Sequence, residues 1–334
     1  MKDDLPVFSF SFLHLSTPYS RSILLGSVTS LNSRLSTLTL TSPPLFAHAP
    51  TSTHIHIAKM ESGPMPAGIP FPEYYDFFMD WKTPIAIAGT YALVVSLFNP
   101  KVGKVSRVVA KSSNAKPAEK SESGSAMTAF VFVHNLILCL YSGITFYNMF
   151  PALISNFRNH DLHDAYCDTD KSLWNNALGY WGYIFYLSKF YEVIDTIIIL
   201  VKGRRSSLLQ TYHHAGAMIT MWSGINYQAT PIWIFVVFNS FIHTIMYCYY
   251  ACTSIGLHPP GKKYLTSMQI TQFLIGTSLA ISYLFVPGCI RTPGAQMAVW
   301  INVGYLFPLT YLFVDFAKRT YSKRGAAAAQ KKAQ

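Results

Sequence analysis

The chain has 334 residues, of which 51% are hydrophobic and 15% aromatic. Only 12% are charged, about half the roughly 25% of soluble domains, and mean hydropathy is +0.25; this excludes a soluble globular protein, a disordered scaffold and a collagen-like fibre. A net charge of +11 raises nucleic acid as a partner, but the basic residues lie between apolar stretches and not along one face, so they read as membrane topology and nucleic acid is set aside.

The first 59 residues differ from the rest. They are rich in Ser and Thr, hold no acid after Asp4, and carry Pro43, Pro44 and Pro50. They read either as a targeting sequence or as the product of an upstream start, with Met60 beginning the functional protein; on both readings no ordered fold is expected. Residues 60–320 form the main domain and 321–334 a basic tail.

A bilayer core of about 30 Å needs roughly 20 helical residues, and seven stretches approach that length: Pro84–Phe98, Met127–Leu153, Leu178–Val201, Thr211–Tyr227, Pro231–Cys252, Leu265–Val286 and Met297–Phe316. The ten-residue alternation of a membrane β-barrel does not occur. One set of loops carries Lys101, Lys104, Arg107, Lys111, Lys116 and Lys120, then Lys202, Arg204 and Arg205, then Lys262 and Lys263; the tail adds Lys318, Arg319, Lys323, Arg324, Lys331 and Lys332. From Met60 onward the opposite side has only Lys82, Arg158, Lys171 and Arg291 beside eight acids. The positive-inside rule then predicts seven crossings and a cytosolic C-terminus. Lys331 and Lys332 stand at the dilysine retrieval spacing of endoplasmic-reticulum membrane proteins; an ordinary basic tail is the plainer reading.

Polar residues recur inside four of these stretches at helical spacing. Lys189, Glu192 and Asp195 mark the third, Gln210, His213 and His214 the fourth, Asn239, His243 and Tyr247 the fifth, and Thr266, Gln269 and Gln272 the sixth. All four stripes fall toward the cytosolic side. Facing lipid they would be unfavourable, so they are expected to face one another around a buried polar chamber. Lys202, Arg204, Arg205, Lys262 and Lys263 would ring its mouth, suited to a phosphorylated ligand or serving only as membrane anchors. His213 and His243 are the chemical candidates, since imidazole serves as base, acid or nucleophile near neutral pH. His134 stands alone in the second stretch and is set aside. Membrane desaturases and hydroxylases gather about eight histidines around two irons; three converge here, so no metal is assigned. A transporter or receptor is the other class with seven helices, but stripes sharing one depth suit a pocket better than a path. Cys139, Cys248 and Cys252 lie in helices, whereas Cys167 and Cys289 fall in non-cytosolic loops and are expected to form a disulfide, two free thiols being the alternative.

The four stripes, in order, resemble the signatures of the ELO family of fatty-acid elongases, notably its fungal members: Lys189-x-x-Glu192-x-x-Asp195-Thr196, the histidine box, Asn239-x-x-x-His243-x-x-Met246-Tyr247, and Thr266-x-x-Gln269-x-x-Gln272-Phe273. Gln210 departs from the usual box, whose first position is His. The resemblance implies an all-α polytopic protein with seven transmembrane helices enclosing the chamber and an acyl tunnel, in the endoplasmic-reticulum membrane. It implies decarboxylative condensation of acyl-CoA with malonyl-CoA, with no bound cofactor. A ketoacyl reductase, a dehydratase and an enoyl reductase of the same membrane would complete the cycle, and a homodimer is left open. On this reading His213 accepts the acyl group and His243 assists. His214, Gln210 and Asn239 orient rings or donate to the enolate oxygen. Glu192, Asp195 and Lys189 balance charge or form a structural clasp, and Tyr247, Thr266, Gln269 and Gln272 contact substrate.

Overall fold

The structure, a computed structural model, describes residues 63–100 and 122–332, with side chains over 63–100 and 124–322. The N-terminal 59 residues, the first basic loop (Lys101 to Lys120) and the side chains of the dilysine tail lie outside the described residues.

Among the described residues every regular element is helical. A 3₁₀ turn at Pro72–Tyr74 leads into α1 (Tyr75–Met79) and α2 (Lys82–Phe98). Then come α3 (Glu122–Asn159), α4 (Leu162–Cys167), a π-helical turn at Trp174–Leu178, α5 (Gly179–Tyr191) and α6 (Ile194–Val201). The chain continues through α7 (Leu208–Asn226), α8 (Ile232–Ser254), α9 (Lys262–Ser282) and α10 (Pro293–Lys332).

Three of these helices contain stretches long and apolar enough to cross a membrane: Gly124–Asn159, Ile232–Ser254 and Pro293–Ser322. The pair Pro72–Met79 and Lys82–Phe98, bent by 71°, adds a fourth if counted as one span. The other predicted crossings fold as helices but do not pass on length and composition. The polar residues at the start of α7 and of α9 lower their hydropathy, and the third stretch is not one helix. At Glu192–Val193 the ladder tightens: Asp195 N–H bonds the Glu192 carbonyl at 3.1 Å and Thr196 N–H the Val193 carbonyl at 3.0 Å, both three residues back. The expected single face of Lys189, Glu192 and Asp195 is therefore split between α5 and α6.

The packing is apolar outside and polar inside. Leu93, Leu97, Phe130, Ile137, Leu140, Ile144, Trp300 and Phe307 are exposed, while His134, Asn135, Ser188, Lys189, Glu192, Thr196, His214 and His243 are buried. Water would reverse that distribution, whereas hydrocarbon solvent favours it. Contacts between helices run in a circuit, α7 to α10 to α9 to α8 to α3 to α5 and back to α7, with α2 packed against α7 from outside. The largest apolar cluster, with Met149, Trp174, Leu178, Tyr186, Trp222, Ile225, Trp233 and Ile234, also includes Cys167 and Cys289, which form a disulfide.

Candidate active site

The tight turn at Glu192 sends the two carboxylates of α5–α6 in different directions. Lys189 and Glu192 are buried together, the Lys189 ammonium donating to Glu192 Oε1 at 2.6 Å. Ser188 Oγ donates to the same oxygen at 3.1 Å. Lys189 also donates to Asn239 Oδ1 at 3.3 Å and sits 3.8 Å from the centre of the Phe185 ring. A buried ion pair is tolerated only when such extra partners satisfy it.

Asp195 belongs to a second network. His134 Nε2 lies 2.8 Å from its Oδ1, and the Tyr247 hydroxyl donates to its Oδ2 at 2.8 Å. This corrects the reading of His134 as a lone histidine. It also places Tyr247 as a ligand of the carboxylate and Asp195 as a partner of α3. Nothing near His134 in the chain announces a partner 61 residues away. Its position within an apolar stretch was the available signal.

The histidine box opens α7. Ser207 caps that helix, its hydroxyl accepting from Gln210 N–H at 3.2 Å. Gln210, His213 and His214 follow at i, i+3 and i+4, on adjoining turns of one face. The Gln210 amide donates to His214 Nε2 at 2.9 Å and to Thr196 Oγ1 at 3.4 Å, and Thr196 in turn meets Tyr91 Oη from α2 at 2.8 Å. His213 and His243 have ring centroids 6.5 Å apart, and His213 Nδ1 is 3.0 Å from the Tyr305 hydroxyl of α10. His243 Nδ1 lies 3.9 Å from Glu192 Oε1.

Glu192, His213 and His243 each offer a metal-ligating atom within 4.8 Å of the others. The Lys189 ammonium already holds that carboxylate, so a divalent cation would have to share the anion with a fixed positive charge. The arrangement fits an imidazole pair beside an ion pair better than a metal centre.

A cavity adjoins the cluster. Its polar lining includes Lys189, His213, Asn239, Gln272, Asn302 and Tyr305, and its apolar lining includes Phe185, Met221, Phe235, Phe238 and Leu309. Gln272 Oε1 and Asn302 Oδ1 are buried in it with no hydrogen-bond partner among the described residues, acceptor capacity that a ligand could use. The rest of the α9 stripe goes elsewhere: Gln269 reaches Met246 Sδ at 3.2 Å and Thr266 Oγ1 meets Tyr321 Oη at 3.0 Å. Lys202, Arg204, Arg205, Lys262 and Lys263 are all exposed and do not line this cavity. Arg205 borders a separate recess between α2 and the start of α7. Tyr91, His134, Asn302 and Tyr305 are the members that sequence reading missed.

The sequence model described as "ELO: GNS1/SUR4 family" matches residues 77–329. Fatty acid elongase sre1 of Dictyostelium discoideum is 33% identical over 168 residues, 50% of this chain and 62% of that protein. Fatty acid elongase A of the same organism is 32% identical over 216 residues, 62% of this chain and 77% of that protein. Long chain fatty acid elongase 2 of Caenorhabditis elegans is 28% identical over 193 residues, covering 56% and 69%. The matched stretch thus spans under two thirds of the first of these relatives.

Proposed function

The chain belongs to the ELO (GNS1/SUR4) family, and from that premise we propose that it is a condensing enzyme of fatty-acid elongation, a 3-oxoacyl-CoA synthase. The observation that carries the reading is the position of His213, an imidazole at the wall of a mainly apolar cavity beside Lys189 and Asn239. Apolar lining suits an acyl chain, and a ring nitrogen there meets the thioester at its end.

The chemistry runs in two steps. His213 attacks the carbonyl carbon of an acyl-CoA; the C–N bond forms, the C–S bond breaks, and CoA leaves as its thiol after taking a proton from water. Malonyl-CoA then loses CO₂, and its enolate carbon attacks the acyl-imidazole. This forms the new C–C bond, frees His213 and gives a 3-oxoacyl-CoA two carbons longer. Lys189, the cationic donor in the cavity wall, stabilises oxyanion charge as it develops, while the unpaired amide oxygens of Gln272 and Asn302 accept from substrate N–H or O–H groups. His243 acts as a base or second imidazole, Gln210 orients His214, and Asn239 holds the Lys189 ammonium. Glu192 balances Lys189 and any imidazolium beside it. No redox cofactor takes part. The exposed basic residues Lys202, Arg204, Arg205, Lys262 and Lys263 form a rim toward which CoA phosphates are drawn from the cytosol.

The same reading gives seven crossings around a polar chamber and acyl tunnel, in the endoplasmic-reticulum membrane with a cytosolic C-terminus. The three remaining steps of the cycle fall to a ketoacyl reductase, a dehydratase and an enoyl reductase. Residues 1–59 stand outside the catalytic unit. Purified protein given a long-chain acyl-CoA and carboxyl-labelled malonyl-CoA is expected to release labelled CO₂. Intact-protein mass spectrometry without malonyl-CoA should show an acyl adduct that His213→Ala abolishes. Full condensing activity in His213→Ala would sink the scheme.

A further inference from the structure

The Tyr305 hydroxyl makes two contacts with one residue. It lies 3.0 Å from the backbone carbonyl oxygen of His213 and 3.0 Å from Nδ1 of the same histidine. A phenol has one hydrogen to donate, and a carbonyl oxygen only accepts. Both contacts are hydrogen bonds only if the hydroxyl donates to the carbonyl and accepts from an Nδ1–H. In the neutral ring that places the proton on Nδ1 and leaves the lone pair on Nε2.

Three features hold the tyrosine in this place. Its ring stacks on Tyr212, with centroids 5.5 Å apart and planes 23° from parallel. The Tyr212 hydroxyl donates to the Tyr305 backbone carbonyl at 3.3 Å. Gly216, one turn after Tyr212 on α7, leaves the space the ring occupies; a Cβ there would overlap the tyrosine ring, coming within 3.2 Å of its Cζ. The seam between α7 and α10 is thus shaped around a flat Tyr305.

We infer that Tyr305 is a positioning residue that selects the Nδ1–H tautomer of His213 and so presents Nε2 as the attacking nitrogen. The inference rests on the reading of His213 as the acyl acceptor. With the lone pair on Nε2, attack on the thioester carbonyl makes the Nε2–C bond and places positive charge on the ring. The Nδ1 proton, already directed at the tyrosine oxygen, keeps its acceptor as that charge appears. The C–S bond breaks, the CoA thiolate takes a proton from water, and the Nδ1 proton is retained throughout, so that loss of the acyl group returns the neutral Nδ1–H ring.

Two variants test this differently. Tyr305→Phe removes the hydroxyl and keeps the ring; Gly216→Ala keeps the hydroxyl and displaces the ring. In both, CoA release from acyl-CoA without malonyl-CoA is expected to slow by roughly five- to tenfold, the rate equivalent of one net hydrogen bond; in Tyr305→Phe, which keeps the ring in the cavity wall, KM for acyl-CoA stays unchanged. A role limited to packing would not slow acyl transfer in Tyr305→Phe while leaving KM intact. Side-chain ¹⁵N NMR of histidine-labelled protein in nanodiscs should find the His213 proton on Nδ1, and a mixture of tautomers in Tyr305→Phe. Wild-type acyl-transfer rates in both variants, or a wild-type spectrum with the proton on Nε2, would overturn the inference. If the wild-type protein releases no CoA without malonyl-CoA, the acyl-histidine reading fails, and the spectrum still decides the tautomer.

Discussion

The two ends of the helix circuit satisfy their polar groups by opposite means. Around the disulfide, side chains are spent on backbone. Asp168 accepts from Leu173 and Trp174 N–H at 2.8 and 2.9 Å, Arg291 donates to the Thr169 and Gly288 carbonyls, and the Tyr283 hydroxyl donates to the Tyr166 carbonyl. His163 Nε2 meets the Pro287 carbonyl at 2.9 Å. Loops have unpaired backbone groups to offer, and these bonds fix them. Around the histidines the backbone is used up within helices, so polar side chains there pair mainly with one another: Lys189 with Glu192, Asp195 with His134 and Tyr247, Gln210 with His214. Some find no partner among the described residues, including Glu192 Oε2, Gln272 Oε1 and Asn302 Oδ1. Complete satisfaction serves stability, whereas unfilled hydrogen-bonding capacity in a buried cavity is what a ligand can complete.

That contrast breaks first at His213. Replacing it with Ala is expected to lower condensing activity by roughly a thousandfold or more and to shift the melting temperature little, as read by labelled CO₂ release and thermal unfolding in micelles. Next comes Glu192→Gln, which strands the Lys189 ammonium in the interior. A cost of about 3–5 kcal/mol is expected from denaturant unfolding, with part recovered in a Lys189→Met, Glu192→Gln double variant. A double variant no better than the single would mean that the pair is not the source. Replacing both Cys167 and Cys289 with Ala should cost about 2–5 kcal/mol, since the bond closes a loop of more than a hundred residues. Turnover well below the melting temperature should survive, because the change lies at the other end.

The smallest effect is one of pH. The His163 imidazole is pushed above its ordinary pKa, first by its bond to the Pro287 carbonyl and then by Asp164. A raised folded-state value means stabilisation that is complete below the unfolded imidazole's pKa of about 6.5 and lost as pH rises through the folded value. The melting-temperature difference between the wild type and His163→Gln should accordingly be largest on the acid side and shrink as the solution is made alkaline. A difference that grows with pH would reverse the assignment.

What the sequence disclosed follows from how far each signal travels along the chain. Runs such as Pro231–Cys252 reappear as α8, Ile232–Ser254, because hydropathy and length are local. The histidine box and the Asn239–His243 stripe were legible for the same reason. The break at Glu192 was not: no Gly or Pro marks it, and the turn tightens where partners on other helices hold Lys189 on one side of it and Asp195 on the other. His134 and Tyr305 were hidden by distance. Each meets its partner on a neighbouring helix 61 or 92 residues away in the chain, and a tyrosine in a chain with 21 of them carries no mark of which one touches the histidine.

The disulfide between Cys167 and Cys289 also makes the protein a covalent ring with two tails. Lys189, Glu192, His213, His243 and Gln272 all lie on the ring, whereas His134 belongs to the tail before it and Asn302 and Tyr305 to the tail after it. A single cut in the loop at 202–207 or in that at 255–261 opens the ring without releasing a fragment, so the nicked chain should migrate as one species until it is reduced. The two tails therefore close a site whose other members are held on one covalent loop.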